Sequence, residues 1–311
     1  MQFISVFPGQ GSQSVGMMDD LAASFPDVEQ TFEAASEIIQ TDLWKLVVAG
    51  PAEQLNQTHY TQPIMLAASY AIWKILQHST SQRPQMMAGH SFGEISALCC
   101  GQAINFDEAI SLAHQRGQIM QQAVPEGIGA MAAILGMEDG SLIELCAQVS
   151  TDTHSVEAVN FNAPGQIVVA GHSEAVDTLM QAAKQAGAKR ALKLPVSVPA
   201  HSSLMRQAAE NFAAVLAEVN IAQPTIPVLH NSTCAVAQTT EAIVDALTEQ
   251  LYSPVPWVKT IQTMRSSANC IIEIGPGKVL TGLHKRIDKT LTSLCIFDNA
   301  SLEAALNVLE E

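Results

Sequence analysis

The stretch PQMMAGHSFGE, residues 84–94, decides the fold class of this chain. It begins with a short apolar run of the kind that forms a buried strand, and its glycines allow a tight turn just before a helical stretch at Ile95–Leu98. A second strand-like run, Gln2–Phe7, is stopped in the same way by Pro8-Gly9-Gln10-Gly11. Strands that end in Gly-rich turns before helices predict an α/β domain with a mostly parallel sheet.

The pattern changes between residues 127 and 197, where strand-like and helical stretches follow the order βαββαβ. This order is typical of a ferredoxin-like unit. We therefore expect a large α/β-hydrolase-like domain, residues 1–126 and 198–311, interrupted by a small ferredoxin-like α+β subdomain, residues 127–197. The strands predicted for the subdomain are Ala130–Leu135, Val156–Phe161, Ile167–Ala170 and Arg190–Val196. Beyond it the sequence predicts helices at Ser202–Val219 and Glu241–Leu251, and strands at Ile226–His230, Cys270–Ile274 and Leu294–Phe297.

The composition argues against several classes of protein. Fifteen Lys and Arg against thirty Asp and Glu give a net charge of −15, and so acidic a surface repels nucleic acid and anionic lipid. The sequence contains neither a long uncharged apolar run nor the basic start of a signal peptide. Its six cysteines lack CxxC or paired spacing, as expected of reduced thiols. We expect a cytoplasmic protein that binds neither nucleic acid nor membrane.

Gly89–Gly93 reads Gly-His-Ser-Phe-Gly, a G-x-S-x-G motif between a predicted strand and a predicted helix. In a nucleophile elbow, the glycines permit a tight turn that holds the serine clear of the sheet. The N-terminus of the following helix stabilises negative charge there. Ser91 is therefore the candidate nucleophile. The alternative is a small-residue turn that only packs a helix onto a sheet.

A serine nucleophile needs a base, and His201 is the candidate among nine histidines. It follows the extended run Pro195–Ala200, which re-enters the large domain where a two-part fold places its cleft. The alternative for His201 is a helix-capping residue. His90 adjoins Ser91, so we expect it to point away from the substrate and to pack. No acid between Ser91 and His201 stands out as a third triad member, and no histidine has metal-ligand spacing, so no metal site is expected.

Five motifs occur together and in order along the chain. They are FPGQGSQ (7–13), GHSFGE (89–94), NFNAPGQ (160–166), VSVPAH (196–201) and EIGPG (273–277). This set resembles the malonyl-CoA:acyl carrier protein transacylases of bacterial fatty acid synthesis, which share their fold with the acyltransferase domains of polyketide synthases. The resemblance spans essentially the whole chain.

The resemblance implies catalytic roles for particular residues. Ser91 would carry the malonyl group as an ester, and His201 would act as general base and then general acid. The backbone N–H groups of Gln10 and Phe92 would hold the oxyanion. The family orients its histidine with a backbone carbonyl instead of a carboxylate, and Gln250 is the matching position.

The resemblance also implies how the acyl group is recognised. Arg116 would pair with the free carboxylate of malonyl, because a guanidinium can hold a carboxylate through two parallel hydrogen bonds. Asn162 and Gln166 would line the cleft, with a turn-forming role as the alternative. Two positions depart from the family pattern: Ala200 replaces a frequent Ser, and Phe92 replaces a commoner Leu, so that its ring could narrow the acyl pocket.

Two groups of basic residues contrast with the acidic composition. Basic cluster 1 comprises Lys184, Lys189, Arg190 and Lys193, and basic cluster 2 comprises Lys278, Lys285, Arg286 and Lys289. The partner that the resemblance implies, acyl carrier protein, is acidic, and the two clusters would receive it by local charge complementarity. The alternative is two solvated helix faces.

The function implied is ping-pong transfer of malonyl from malonyl-CoA to the phosphopantetheine thiol of acyl carrier protein, which supplies extender units for fatty acid synthesis. We expect no cofactor, since CoA and phosphopantetheine enter as parts of substrates, and we expect a monomer. A serine hydrolase would use the same Ser91 and His201, although Arg116 favours the transferase. A non-catalytic docking subunit is disfavoured by the presence of all three residues. An acyltransferase of a polyketide pathway is a close relative of the first interpretation.

Overall fold

A computed structural model describes residues 1–196 and 198–310. The strands within these residues are β1 (Phe3–Phe7), β2 (Met87–Gly89), β3 (Gly129–Leu135), β4 (Val156–Ala163), β5 (Gln166–His172), β6 (Arg190–Lys193), β7 (Val228–Leu229), β8 (Cys270–Ile274) and β9 (Thr292–Ile296). The helices up to residue 121 are α1 (Asp19–Ser24), α2 (Asp27–Ile39), α3 (Leu43–Ala49), α4 (Ala52–Leu55), α5 (Thr58–Ser79), α6 (Gly93–Cys100) and α7 (Phe106–Gln121). The later helices are α8 (Asp139–Val149), α9 (Ser173–Gln185), α10 (Arg206–Leu216), α11 (Thr240–Gln250), α12 (Trp257–Met264), α13 (Val279–Ile287) and α14 (Asn299–Glu310).

The larger sheet has five parallel strands in the order β7-β2-β1-β8-β9. Its central strands β1 and β8 are buried at every position, as expected of a parallel sheet that is covered on both faces. The long helix α5 is buried along most of its length and packs against α2 and α7. None of the helices in the described ranges is long and apolar enough to cross a membrane. The predicted α/β class with a mostly parallel sheet is confirmed.

The smaller sheet has four antiparallel strands in the order β4-β5-β3-β6. Helices α8 and α9 cover one face and complete the predicted βαββαβ arrangement. The other face carries Met131, Val159, Val168 and Ala170. The predicted boundary at residue 197 lies outside the described residues, and the division into two domains stays a prediction.

Several element boundaries differ from the expectation. Strand β4 continues to Ala163 instead of ending at Phe161, and β6 ends at Lys193 instead of Val196. The helix expected from Ser202 begins as a 3₁₀ turn, Ser203–Met205, before α10. Strand β6 pairs only with β3 and lies at the sheet edge. The length of its partner does not set this end, because β3 extends three residues beyond the last pair, Ala132–Lys193. Pro195 lies two residues after Lys193 and has no N–H to donate to a neighbouring strand.

Helices α12 and α13 have no counterpart in the sequence-based expectation. The start of α13 shows why, because the groups that stabilise it are distant in sequence. The buried carboxylate of Glu273, on β8, accepts hydrogen bonds from the backbone N–H groups of Leu280 (3.0 Å) and Thr281 (2.7 Å). Glu273 thereby satisfies donors at the helix N-terminus that a local capping residue would normally satisfy.

The cysteines lie mostly in the interior. Five of the six are buried, Cys295 is partly exposed, and no disulfide joins any two of them in the described part of the chain. Burial raises the pKa of the Cys146 thiol to about 12. This thiol is therefore protonated at neutral pH and is a poor nucleophile.

Candidate active site

Ser91 lies in the sharp turn between β2 and α6. Its φ angle of 54° is in the left-handed region, which residues other than glycine rarely adopt. Both flanking glycines are needed, since a Cβ on Gly89 would lie 1.8 Å from the carbonyl carbon of Gly93, and one on Gly93 would lie 2.2 Å from the Phe7 oxygen. The turn thus has the strained geometry of a nucleophile elbow.

Asn231 holds this turn from the neighbouring strand. Its Oδ1 accepts a hydrogen bond from the N–H of Ser91 (2.8 Å), and its Nδ2 donates to the carbonyl of Gly89 (2.7 Å). Asn231 is fully buried and follows β7, which pairs with β2. Sequence reasoning missed this residue. The signal available was its place after a parallel strand, at the carboxyl edge where the nucleophile also lies.

His201 contacts Ser91 directly, with 2.7 Å between its Nε2 and the serine Oγ. Its Nδ1 lies 2.8 Å from the backbone carbonyl oxygen of Gln250. Because a carbonyl only accepts, Nδ1 carries the ring proton and Nε2 is free to accept from the serine. Burial, assisted by the nearby charge of Arg116, lowers the pKa of His201 to about 3. The imidazole is thus neutral, and it bonds to these two partners instead of capping a helix.

Gln10 and Phe92 belong to the turns that follow the neighbouring strands β1 and β2. Gln10 follows β1, which pairs with β2, and it lines the same cavity as Ser91. The two turns approach closely, because a Cβ on Gly9 would lie 2.6 Å from the carbonyl oxygen of His90. The predicted oxyanion donors, the N–H groups of Gln10 and Phe92, therefore belong to two adjacent turns, of which the second also contains Ser91. The Phe92 ring is buried and is absent from the cavity wall in the described residues.

Arg116, on α7, is 1% exposed. Its Nη2 donates to Oε1 of Gln250 (2.8 Å), while Nε and Nη1 have no hydrogen-bond partner among the described residues. Burial lowers the pKa of Arg116 to about 10, opposed by the nearby charge of Glu94, so the side chain is a cation at neutral pH. A buried cation with unused donors is suited to bind an anionic group such as a carboxylate.

A cavity of about 250 Å³ opens beside the Ser91–His201 pair. Its apolar wall comes from α7, from the smaller sheet and the residues that follow it, and from α13: Met120, Met131, Val168, Leu194, Val196, Val198, Ala200, Val279, Leu280 and Leu283. Its polar lining includes Gln10, Ser91 and His201. In the described ranges, no three or more His, Cys, Asp or Glu side chains are grouped so that they could hold a metal ion.

Asn162 and Gln166, which were predicted together as cleft residues, lie in different places. Asn162 lines the cavity, together with Asn160, which sequence reasoning did not select. Strand β4 includes both asparagines, and residues two apart on a strand share a face. Gln166 begins β5, is absent from the cavity wall in the described residues, and accepts a hydrogen bond from Arg286.

His90 was expected to face away from the cavity, but it lines the cavity wall. Its Nε2 lies 2.7 Å from Oδ1 of Asn162, and its ring packs edge-on against Trp257 with 5.2 Å between centroids. The expected packing is present together with a polar contact to the smaller sheet. The reason is that β4 brings Asn162 next to His90 although the two residues are 72 positions apart. An argument from the neighbours of His90 in the sequence does not predict this contact.

Comparison with known proteins identifies the family of this chain. A family model described as the acyl transferase domain matches residues 4–303. The chain belongs to the acyl transferase family. A serine in a nucleophile elbow, bonded to a neutral histidine, is an arrangement suited to acyl transfer.

Several relatives are similar to this acyltransferase over nearly their whole length. The malonyl CoA-acyl carrier protein transacylase of Salmonella typhimurium is 50% identical over 306 residues, 98% of this chain and 99% of the relative. An acyl carrier protein S-malonyltransferase structure from Vibrio cholerae is 51% identical, with a TM-score of 0.95, covering 98% of this chain and 100% of that one. A malonyl transacylase solved with the acyl carrier protein of a type II polyketide synthase is 50% identical, with a TM-score of 0.97, covering 99% and 100%. The chain is an acyltransferase enzyme.

Proposed function

We propose that this acyltransferase moves a malonyl group from malonyl-CoA to the phosphopantetheine thiol of an acyl carrier protein, through an ester on Ser91. One observation carries the proposal: the buried Arg116 is linked through the Gln250 side chain to the elbow of Ser91, and two of its nitrogens have no partner among the described residues. A cation in this place selects an acyl group that ends in a carboxylate. The names of the relatives described above support the same substrates and partner.

The first half-reaction forms the ester. Ser91 Oγ attacks the thioester carbonyl and passes its proton to Nε2 of His201, while the oxyanion that forms accepts from the N–H groups of Gln10 and Phe92. The Gln250 carbonyl, already bonded to Nδ1, stabilises the resulting imidazolium. The carbon–sulfur bond then breaks, and the proton on Nε2 goes to the departing CoA sulfur.

The second half-reaction regenerates the serine. The phosphopantetheine thiol gives its proton to Nε2 of His201, and its sulfur attacks the ester carbonyl. The bond from that carbon to Ser91 Oγ breaks, and the proton returns to this oxygen. Each step uses groups of one chain and of the two substrates, so we expect neither a resident cofactor nor a second subunit in the reaction.

The carrier protein is proposed to dock across the cavity mouth. All eight residues of basic clusters 1 and 2 are exposed. Lys193 directly precedes Leu194 and Lys278 directly precedes Val279, and both of these apolar residues line the cavity. Each cluster thus has one member next to a residue of the cavity wall, and an acidic partner docked there would gain local attraction in spite of the net charge of −15.

The test is the intact mass of the protein after mixing with malonyl-CoA and, separately, with acetyl-CoA. We expect a malonyl adduct that forms faster than the acetyl adduct, and no adduct on Ser91→Ala. The Ser91→Ala variant keeps the elbow backbone and loses only the nucleophilic oxygen. Absence of a malonyl adduct on the unmodified chain, or its persistence in Ser91→Ala, would overturn the proposal.

A further inference from the structure

The side-chain amide of Gln250 lies between two buried ions. Its Oε1 accepts a hydrogen bond from Nη2 of Arg116 (2.8 Å), and its Nε2 donates to Oε2 of Glu94 (2.7 Å). Gln250 and Arg116 are each 1% exposed, and Glu94 is fully buried. One neutral amide thus satisfies a cation at one end and a carboxylate at the other.

The direction of this amide is fixed by its surroundings. Nε2 faces two acceptors, the Glu94 carboxylate and the backbone carbonyl of Ser91 (3.1 Å). An amide nitrogen only donates and an amide oxygen only accepts. A reversed amide would place an acceptor against these two oxygens and a donor against Arg116, so the oxygen is held toward the guanidinium.

Glu94 is itself held in place. Its Oε1 accepts from Nδ1 of His230 (2.7 Å), and its Oε2 also accepts from the backbone N–H of Asn231 (2.9 Å). Opposite charges attract strongly when they are buried. If the amide were removed, the long side chain of Arg116 would turn toward the fixed carboxylate of Glu94.

We propose that the Gln250 side chain is a positioning residue that separates Arg116 from Glu94 and thereby keeps the guanidinium available to the substrate carboxylate. This inference rests on the proposed malonyl transfer and adds a determinant of acyl specificity to it. The role is distinct from that of the Gln250 backbone carbonyl, which bonds to His201. A direct Arg116–Glu94 ion pair would occupy the donors that a malonyl group needs.

A substitution of Gln250 tests its side-chain role separately from its backbone role, because every residue type at this position keeps the backbone carbonyl. In Gln250→Ala, we expect acylation by acetyl-CoA to slow, because the Ser91 carbonyl loses the donor Nε2, but to slow less than acylation by malonyl-CoA, because the backbone carbonyl still bonds to His201. The preference for malonyl-CoA over acetyl-CoA should fall about tenfold, the size of one charge-assisted hydrogen bond. Acylation rates are measured by quenched reaction and intact mass.

A second substitution tests the mechanism through rescue. Glu94→Gln removes the negative charge, and its amide oxygen can still accept from Asn231 while the His230 ring accepts from its nitrogen. In the double variant Glu94→Gln/Gln250→Ala, Arg116 has no buried anion to approach. We therefore expect the preference for malonyl to rise back toward that of the unmodified chain, a recovery that a merely structural role would not give.

Gln62→Ala is the matched control. Gln62 is a fully buried glutamine whose Nε2 bonds instead to Oε1 of Gln10 (3.1 Å) and approaches Sδ of Met120 (3.6 Å). This substitution should change malonyl and acetyl acylation by the same factor.

Two results would overturn the inference: equal losses with both thioesters in Gln250→Ala, or no recovery in a folded double variant. If the double variant does not fold, the ratio in Gln250→Ala alone decides. Failure of the unmodified chain to accept malonyl would instead contradict the proposed function, so the two failures are distinguishable.

Discussion

The two sheets differ in what they bury. Of the polar and charged side chains that are buried within the described residues, Asn160 alone comes from the smaller sheet and its helices. The others belong to the region of the parallel sheet and include Glu94, Arg116, His201 and Gln250. The smaller sheet presents an apolar face to the cavity instead.

This difference separates two tasks of an acyltransferase. Buried polar groups are stable only when they are hydrogen-bonded, and such networks are rigid. The region around the parallel sheet therefore fixes the positions of the groups proposed to react. An apolar wall excludes water and shapes the space beside those groups without taking part in the chemistry. We expect substitutions in the first region to change chemical steps, and substitutions in the second to change access.

Among substitutions in the two regions, His201→Ala is expected to reduce the rate of acylation most. Without the base, acylation by malonyl-CoA should slow by about 10²–10⁴-fold, the usual contribution of general acid–base catalysis. Rapid-quench measurement of the acyl-enzyme gives the rate, and circular dichroism verifies the fold. A loss below tenfold would show that the histidine 2.7 Å from Ser91 Oγ is not the base.

Arg116→Ala should have the next largest effect, and only on substrates with a carboxylate. We expect malonyl transfer to lose about 1.5–3 kcal/mol of transition-state stabilisation, the range for a hydrogen bond to a charged group. Acylation by acetyl-CoA serves as the internal control and should change little. Full retention of the malonyl preference would remove Arg116 from acyl recognition.

Acid should destabilise the parallel-sheet region through its buried histidines. Burial lowers the pKa of His201 and of His284 to about 3, and it also lowers the pKa of His90. The folded chain keeps these rings neutral, whereas the unfolded chain binds protons near pH 6.5, so the free energy of unfolding falls as pH drops below 6.5. Each ring lowers the free energy of unfolding by up to about 1.4 kcal/mol for each pH unit below 6.5.

Urea unfolding at pH 7.5 and pH 5.5 measures this dependence. His284→Phe removes one of the three titratable imidazoles and keeps an aromatic side chain against Trp257. The free energy of unfolding of this variant should therefore change less between the two pH values. An unchanged slope in this variant would show that burial of His284 does not contribute to acid sensitivity.

Charge reversal at Lys189 and Arg190 should give the smallest effect, and this effect should be confined to binding of the carrier protein. Both residues are exposed, and Arg190 begins strand β6 of the smaller sheet. Their replacement by Glu should raise KM for the carrier protein several-fold and leave KM for malonyl-CoA unchanged, because only the docked partner is acidic. The ratio of the two KM values is the measurement. An equal rise in both would count against docking at this surface.

Sequence predicted those features that depend on adjacent residues. The glycines around Ser91 force the elbow locally, and the period of alternation predicted the βαββαβ order. Asn231 and Glu94 were not selected for a role because their partners are far away: Asn231 is 140 residues from Ser91, and Glu94 is 156 residues from Gln250.

Distant contacts also explain why the two predicted cleft residues, which come from one motif, differ in position. Asn162 and Gln166 are close in the sequence, but a strand end between them directs Asn162 to the cavity and Gln166 to Arg286. Helix α13, which supplies part of the cavity wall, depends on Glu273 from β8 and has no local capping signal. Such features require the pairing of distant segments.

The most direct test of the account follows the malonyl adduct after its isolation. The adduct on Ser91 is freed of malonyl-CoA and mixed with buffer alone or with acyl carrier protein that bears phosphopantetheine, and the masses of both proteins are followed in time. The account predicts that the adduct persists in buffer and moves to the carrier protein. Release of free malonate at the same rate in both mixtures would contradict it and identify a hydrolase.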